Sequence, residues 1–214
     1  MHPVLSTAAI AAIATATSAQ SLNIDLAASG ELLPSDFGAQ GSAGIWNIYP
    51  EEPGASHALT NLAGNATGAS LTVTGFVNVQ HIRVSTIDAD VNGLANTRLI
   101  SHGSPIVMTF TGLQNATYEV WTYVISTGSS LTPEVTLNSD ASTTQFLTQG
   151  WSGSLVLGQT HAYHTVEVID GTLSVAVAAS NDPWANGIQL VIPAPSTLAL
   201  APLACLLAPR RRRT

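Results

Sequence analysis

Alternation of apolar and polar positions dominates the middle of the chain. Leu71-Thr72-Val73-Thr74-Gly75-Phe76-Val77-Asn78-Val79 alternates, with Leu71 and Val73 on one face. Tyr118-Glu119-Val120-Trp121-Thr122-Tyr123-Val124-Ile125, His164-Thr165-Val166-Glu167-Val168-Ile169 and Leu173-Ser174-Val175-Ala176-Val177 repeat the theme. A period of two, carried by Val, Thr and aromatics, marks half-buried strands. Roughly ten strands follow at spacings of about 8–14 residues, and no stretch shows a convincing helical period. The pattern predicts an all-β fold, a single β-sandwich of the jelly-roll type. Asp170-Gly171, between two of these runs, predicts a two-residue hairpin turn. No long-period repeat and no linker-like gap divides the body, which therefore reads as one domain.

The two ends break the pattern. Val4 to Ala14 is a short apolar run that leads into Ala16-Thr17-Ser18-Ala19 and places small residues ahead of a cut between Ala19 and Gln20. That is the layout of a secretory signal, although no Lys or Arg precedes the run. At the other end, Pro193-Ala194-Pro195-Ser196 is followed by an apolar stretch from Thr197 to Pro209 and then Arg210-Arg211-Arg212-Arg213. As a helix this stretch would reach roughly 20 Å, short of a hydrocarbon core of ~30 Å. Pro202 would also remove a hydrogen bond from its middle. It suits a transient anchor, with the arginines kept on the cytoplasmic side.

This tail resembles the PEP-CTERM sorting signal: a Pro-x-Pro motif, a brief apolar helix and a terminal arginine cluster. The family usually carries Pro-Glu-Pro where this chain has Pro193-Ala194-Pro195. The resemblance implies export across the inner membrane of a Gram-negative-type bacterium, transient retention there, and processing near the Pro-x-Pro by an exosortase-type enzyme. Delivery to the cell surface or extracellular matrix would follow. It divides the chain into a signal peptide (1–19), a β-sandwich domain (20–192) and a sorting segment (193–214). The sandwich is then flanked by an N-terminal signal helix and a C-terminal hydrophobic sorting helix.

A second resemblance covers most of the body. Asn23-Ile24-Asp25-Leu26, Gly44-Ile45-Trp46-Asn47 and the stretch from Leu59 to Gly68 look like the opening of exported proteins of the same group. The stretch from Phe110 to Val120 is similar to a strand-turn-strand of galactose-binding-like and fibronectin-like sandwiches. Asn186-Gly187-Ile188-Gln189-Leu190-Val191 resembles the closing strand of many jelly rolls. These likenesses concern fold, and fold does not fix function.

Composition sharpens the division. The chain has no lysine, and four of its six basic residues are the terminal arginines. Arg83 and Arg98 are left to face thirteen acids between Asp25 and Asp182, so the body carries a net −11 where the whole chain carries −7. Such a body lacks the basic footprint of a nucleic-acid binder. The single cysteine, Cys205, lies in the tail, so no disulfide staples the body. Stability must come from its core, which a domain of this size can supply.

Catalytic patterns are sparse. Gly150-Trp151-Ser152-Gly153-Ser154 fails the nucleophile-elbow pattern at its last position. His161 and His164 are three apart, which on a strand sends them to opposite faces, and both read as ordinary surface or edge histidines. Glu51-Glu52 sits among prolines and glycine, a solvated loop. Asp88-Ala89-Asp90-Val91-Asn92-Gly93 matches the first half of a calcium loop, with Asp88, Asp90 and Asn92 as oxygen ligands. Leu99 occupies the place of the closing Glu, and a polar turn with positive φ at Asn92-Gly93 is the alternative.

Tryptophan supplies the remaining chemistry. Trp151 and Trp184 sit in polar, loop-like contexts, the latter in Asn181-Asp182-Pro183-Trp184, and could stack a sugar ring while Asn181 and Asp182 bond its hydroxyls. Trp46 and Trp121 read as core. The combined reading is a non-catalytic, surface-sorted sandwich that binds glycan or builds matrix. Extracellular polysaccharide enters as the partner class through the sorting family's association with it. The alternative is a secreted glycan hydrolase using a pair of carboxylates.

Overall fold

The computed structural model describes residues 20–26, 33–50, 52–82, 89–126, 131–148 and 150–194. The expected signal segment (1–19), Asp88, Pro195 and the arginine run, with both expected flanking helices, lie outside the described residues. Among those described, no helix is long and apolar enough to cross a membrane.

The chain folds into two packed sheets and a small third one. The first sheet has the spatial order β11 (His161–Val168), β8 (Ala116–Tyr123), β14 (Gly187–Val191), β1 (Leu22–Asp25), β2 (Trp46–Ile48). All its pairs are antiparallel except β1 with β2. The second runs β10 (Gln145–Phe146), β9 (Glu134–Leu137), β12 (Leu173–Ala178), β7 (Ile106–Thr111), β4 (Ala66–Thr74), β3 (Ser56–Thr60). The third joins β13 (Trp184–Ala185), β6 (Thr97–Ile100) and β5 (Asn78–His81). An α-helix, α1 (Ala89–Asn96), precedes β6.

Alternation places the core where the sequence pattern predicts. Leu71 and Val73 of β4, Ile106, Met108 and Phe110 of β7, and Leu173, Val175 and Val177 of β12 are buried on one face. They pack with Leu22, Ile24, Tyr118, Val120, Ile188 and Leu190 of the first sheet in one cluster. The fold is thus an all-β sandwich.

β1 and β14 are buried on both faces, because the outer face of the first sheet carries a second, smaller core. Leu33, Phe37, Trp46, Val91, Leu94, Ala95, Tyr123 and Ile125 form it, with Trp121 and Trp151 partly buried against it. Trp46, Asn23, Gln189, Trp121 and Tyr163 stand opposite one another in a row across this face. Gly187 lets α1 approach the sheet: a Cβ there would lie 2.7 Å from Leu94 Cδ1 and 2.9 Å from the Ile24 carbonyl oxygen.

Side-chain amides close both edges of the sandwich. Asn47 of β2 accepts the N–H (2.8 Å) and hydroxyl (3.0 Å) of Thr60 on Oδ1, and donates from Nδ2 to the carbonyls of Thr60 and Asn23. At the opposite edge, Gln145 of β10 accepts the N–H of Tyr163 (3.2 Å) and donates to its carbonyl. Each carboxamide stands in for a peptide unit and ties the edge strand of one sheet to that of the other, protecting groups an open edge would leave unpaired.

Two expectations are corrected. Asp170-Gly171 does turn the chain, with Gly171 at φ 75° and Asp170 Oδ1 accepting the N–H and hydroxyl of Thr172. It does not make a hairpin, since β11 pairs with β8 in the first sheet and β12 with β7 and β9 in the second. The Gly171 carbonyl is taken instead by the Leu113 N–H, and the turn carries the chain between sheets. His161 and His164 do point to opposite faces, yet both are buried. Segments packed over their strand cover them: His164 Nε2 lies 2.8 Å from the Thr143 carbonyl.

Candidate functional site

The third sheet presents one apolar and one polar face. Thr97 and Leu99 of β6 are buried, while Arg98 and Ile100 alternate to the other side. Pairing sets Gln80 opposite Arg98 and Trp184 opposite Ile100. These four residues, with His102, Ser126, Leu131 and Asp182, line a cavity of about 300 Å³.

Arg98 is the only lysine or arginine among the described residues. Its Nε (2.9 Å) and Nη2 both donate to Gln80 Oε1, and its Cζ sits 4.9 Å from the centre of the Trp184 ring. That is cation–π distance. Burial pushes the guanidinium below its usual pKa, but an arginine stays charged. Its Nη1 is nevertheless buried with no acceptor among the described residues, as is the Trp184 Nε1. A buried unsatisfied donor costs on the order of 1–3 kcal/mol, so these two are a local cost that the fold carries beside the cavity. At the cavity, His102 Nδ1 meets Asp182 Oδ1 at 3.1 Å, both side chains being largely exposed.

The structure brings part of the sequence-derived set together. Trp184 and Asp182 share this cavity; Asn181 is exposed nearby, its carbonyl accepting the Gly103 N–H, but does not line it. Trp184 is no open stacking platform: pairing with β6 leaves it 4% exposed, with Arg98 over its ring. Trp151 lies apart, against the second core. Asp90 and Asn92 fall on α1, two residues and about 200° apart around the helix, so they do not converge as loop ligands would. The turn reading gives way as well, because Gly93 is helical. The signal for that helix was Val91, Leu94 and Ala95, apolar at one helical face and buried on the second core. No group of three or more His, Cys, Asp or Glu that could hold a metal occurs among the described residues. Of the residues expected at the two processing sites, Pro193 and Ala194 are exposed just beyond β14, and Ala19 lies outside the described residues.

Gln20 is buried and held by its side chain. Its Oε1 accepts the Gln114 N–H and the Tyr118 hydroxyl, while Nε2 donates to the carbonyls of Thr67 and Gly112. Sequence reasoning missed Gln80, His102, Ser126 and Leu131, and it noticed Arg98 only as a count.

No protein-family model matches the chain, and no curated protein matches it in sequence. Among solved structures it is similar to Bacteroides uniformis beta-glucuronidase 2, with a TM-score of 0.52 and 12% identity over 81% of this chain and 18% of that one. The chain therefore spans under a fifth of the enzyme's length. It is also similar to a family 35 carbohydrate binding module from Clostridium thermocellum, at a TM-score of 0.39 and 8% identity over 57% of this chain and 92% of that module. At 12% identity, the glucuronidase likeness concerns the sandwich fold alone.

Proposed function

We propose that the chain is an exported, non-catalytic glycan-binding protein of the bacterial surface or extracellular matrix, and that the cavity between β5, β6 and β13 is its binding site. One observation carries this reading: the Arg98 guanidinium, the only basic Lys or Arg side chain among the described residues, lines a polar cavity with the Trp184 ring against its face. Gln80, Ser126 and Asp182 add amide, hydroxyl and carboxylate groups of the kind that bond sugar hydroxyls. Asp182 is the only carboxylate lining the cavity among the described residues, whereas glycoside hydrolysis draws on two. Export rests on the N-terminal signal pattern and the Pro193-Ala194-Pro195, apolar, four-arginine tail. The exposure of Pro193 and Ala194 leaves them open to an exosortase-type enzyme.

A glycan array probed with the full chain, with and without calcium, tests the binding. Signal on polysaccharide that fades in Arg98→Gln supports the reading, and silence across the array ends it. Mass spectrometry of the protein recovered from the cell surface tests the sorting: a product still ending in Arg213-Thr214 would exclude processing.

A second reading has its own observation. Asp36 and Asp90 share another cavity of about 410 Å³ between segment 36–40, α1 and residues 153–155. Two carboxylates on one cavity are the starting material of a glycan hydrolase. Release of reducing sugar, abolished in both Asp36→Asn and Asp90→Asn, would establish it in place of the binding role.

A further inference from the structure

We infer that the leader is cut away before the sandwich folds, so that the chain crosses the membrane unfolded; this rests on the export reading above. The partner is then a translocase that threads extended polypeptide. Hydrolysis of the Ala19–Gln20 peptide bond adds one water and leaves a carboxylate on Ala19 and a free amine on Gln20. A peptidase has to hold the chain extended on both sides of the bond it cuts. On the far side of this bond the folded body leaves nothing to hold.

Gln20 and Ser21 are only 6% and 4% exposed. The Gln20 side chain is tied to both sheets: its oxygen accepts the Tyr118 hydroxyl from β8, and its nitrogen donates to the Thr67 carbonyl of β4. The Gln114 N–H and the Gly112 carbonyl hold it from the turn between β7 and β8. The Ser21 carbonyl accepts the Leu62 N–H (3.2 Å), and its hydroxyl oxygen accepts the Ile192 N–H (3.0 Å). One residue further on, β1 begins. It is an inner strand, paired with β14 on one side and β2 on the other, and its Leu22 and Ile24 are fully buried. Freeing residues 20–22 therefore means lifting β1 out of the core, and cutting follows the population of that opened state. For an ordinary domain this population lies below about 1 part in 1,000. A body that folded first would keep its leader. Removal belongs to the interval in which β1 is still free, during or directly after passage through the membrane, whereas export in folded form would deliver the site already locked.

The test uses the full chain refolded with its leader, its native structure checked by circular dichroism, and a synthetic peptide of residues 10–30 as the accessible reference. Both are treated with a bacterial leader peptidase in detergent and followed by mass spectrometry. The peptide should be cut between Ala19 and Gln20, and the folded chain at least about 1,000-fold more slowly. The full-length variant Ile24→Asp, whose carboxylate keeps β1 out of the core, should be cut at the peptide's rate. A full chain that gains native structure only once it is cut gives the same order and supports the inference. Cutting of the folded chain within about 10-fold of the peptide's rate overturns it and leaves the export reading standing. So does protein recovered from the cell surface with residues 1–19 still attached. A peptide left intact between Ala19 and Gln20 overturns the inference together with the leader on which it rests.

Discussion

Two polar clusters are built into this sandwich on opposite terms. Around Gln189 every group has a use. Its Nε2 donates to Asn23 Oδ1 (2.8 Å) and the Gly38 and Ser42 carbonyls, and its Oε1 accepts the Gly41 N–H (2.9 Å) and the Tyr123 hydroxyl. Tyr123 in turn accepts the Gln40 N–H, and burial pushes its hydroxyl pKa up. The cluster pins segment 38–42 onto the first sheet. Around Arg98 and Trp184, donors are left over. The contrast separates two meanings of a polar residue in a strand. A satisfied one specifies the fold, and an unsatisfied buried one is a cost that the rest of the fold must carry.

That contrast can be broken by stability measurements. Gln189→Leu strips acceptors and donors from several buried partners at once and should cost about 3–4 kcal/mol in chemical denaturation. A loss below about 1 kcal/mol would show that the cluster does not specify the fold. Acid probes the same neighbourhood through His161, whose ring packs 5.7 Å from Tyr123 and whose pKa burial pushes down to about 4. The unfolded chain takes up that proton first, so stability is full above about pH 6.5 and falls, by on the order of 2–3 kcal/mol, as the pH drops toward 4. His164, also depressed by burial, adds in the same direction. Urea midpoints across that range should show the slope, and His161→Gln should flatten part of it.

The edges rank next. Asn47→Ala removes four hydrogen bonds and should cost about 2 kcal/mol, against about 1 kcal/mol for Gln145→Ala, which removes two. Thermal melts that reverse this order would show that the edges are not held by their amides. Smallest of all, Arg98→Gln should shift stability by less than about 1 kcal/mol while changing glycan binding. A destabilisation matching that of Gln189→Leu would erase the distinction between the two clusters.

Much of the sandwich was legible because burial on one face imposes a period of two, as at Leu71, Val73, Leu173 and Val175. Which strands pair was not legible. Asp170-Gly171 carries a hairpin's turn chemistry, yet partner choice rests on long-range packing, and the two strands go to different sheets. The helix at 89–96 was obscured because its oxygen-bearing residues imitate a calcium loop, while its apolar face is defined only by a second core that forms in three dimensions. The site was half legible. Asp182 and Trp184 lie next to each other in the loop–strand sequence, but Arg98 and Gln80 reach them through sheet pairing that no local pattern encodes.

The hold on Gln20 has a consequence for the chemistry of a processed chain. Cleavage after Ala19 would make Gln20 the first residue, and a free amino-terminal glutamine tends to close into a lactam, with loss of ammonia, when its amine reaches its own side-chain carbonyl. Here the amide nitrogen, the group that must leave, is held by the carbonyls of Thr67 and Gly112, and the side chain is further anchored at its oxygen by Gln114 and Tyr118, so ring closure would have to break these bonds. The folded domain would keep the terminus open and its amine intact. A mature protein one ammonia lighter than the linear sequence would mean that cyclisation outran folding.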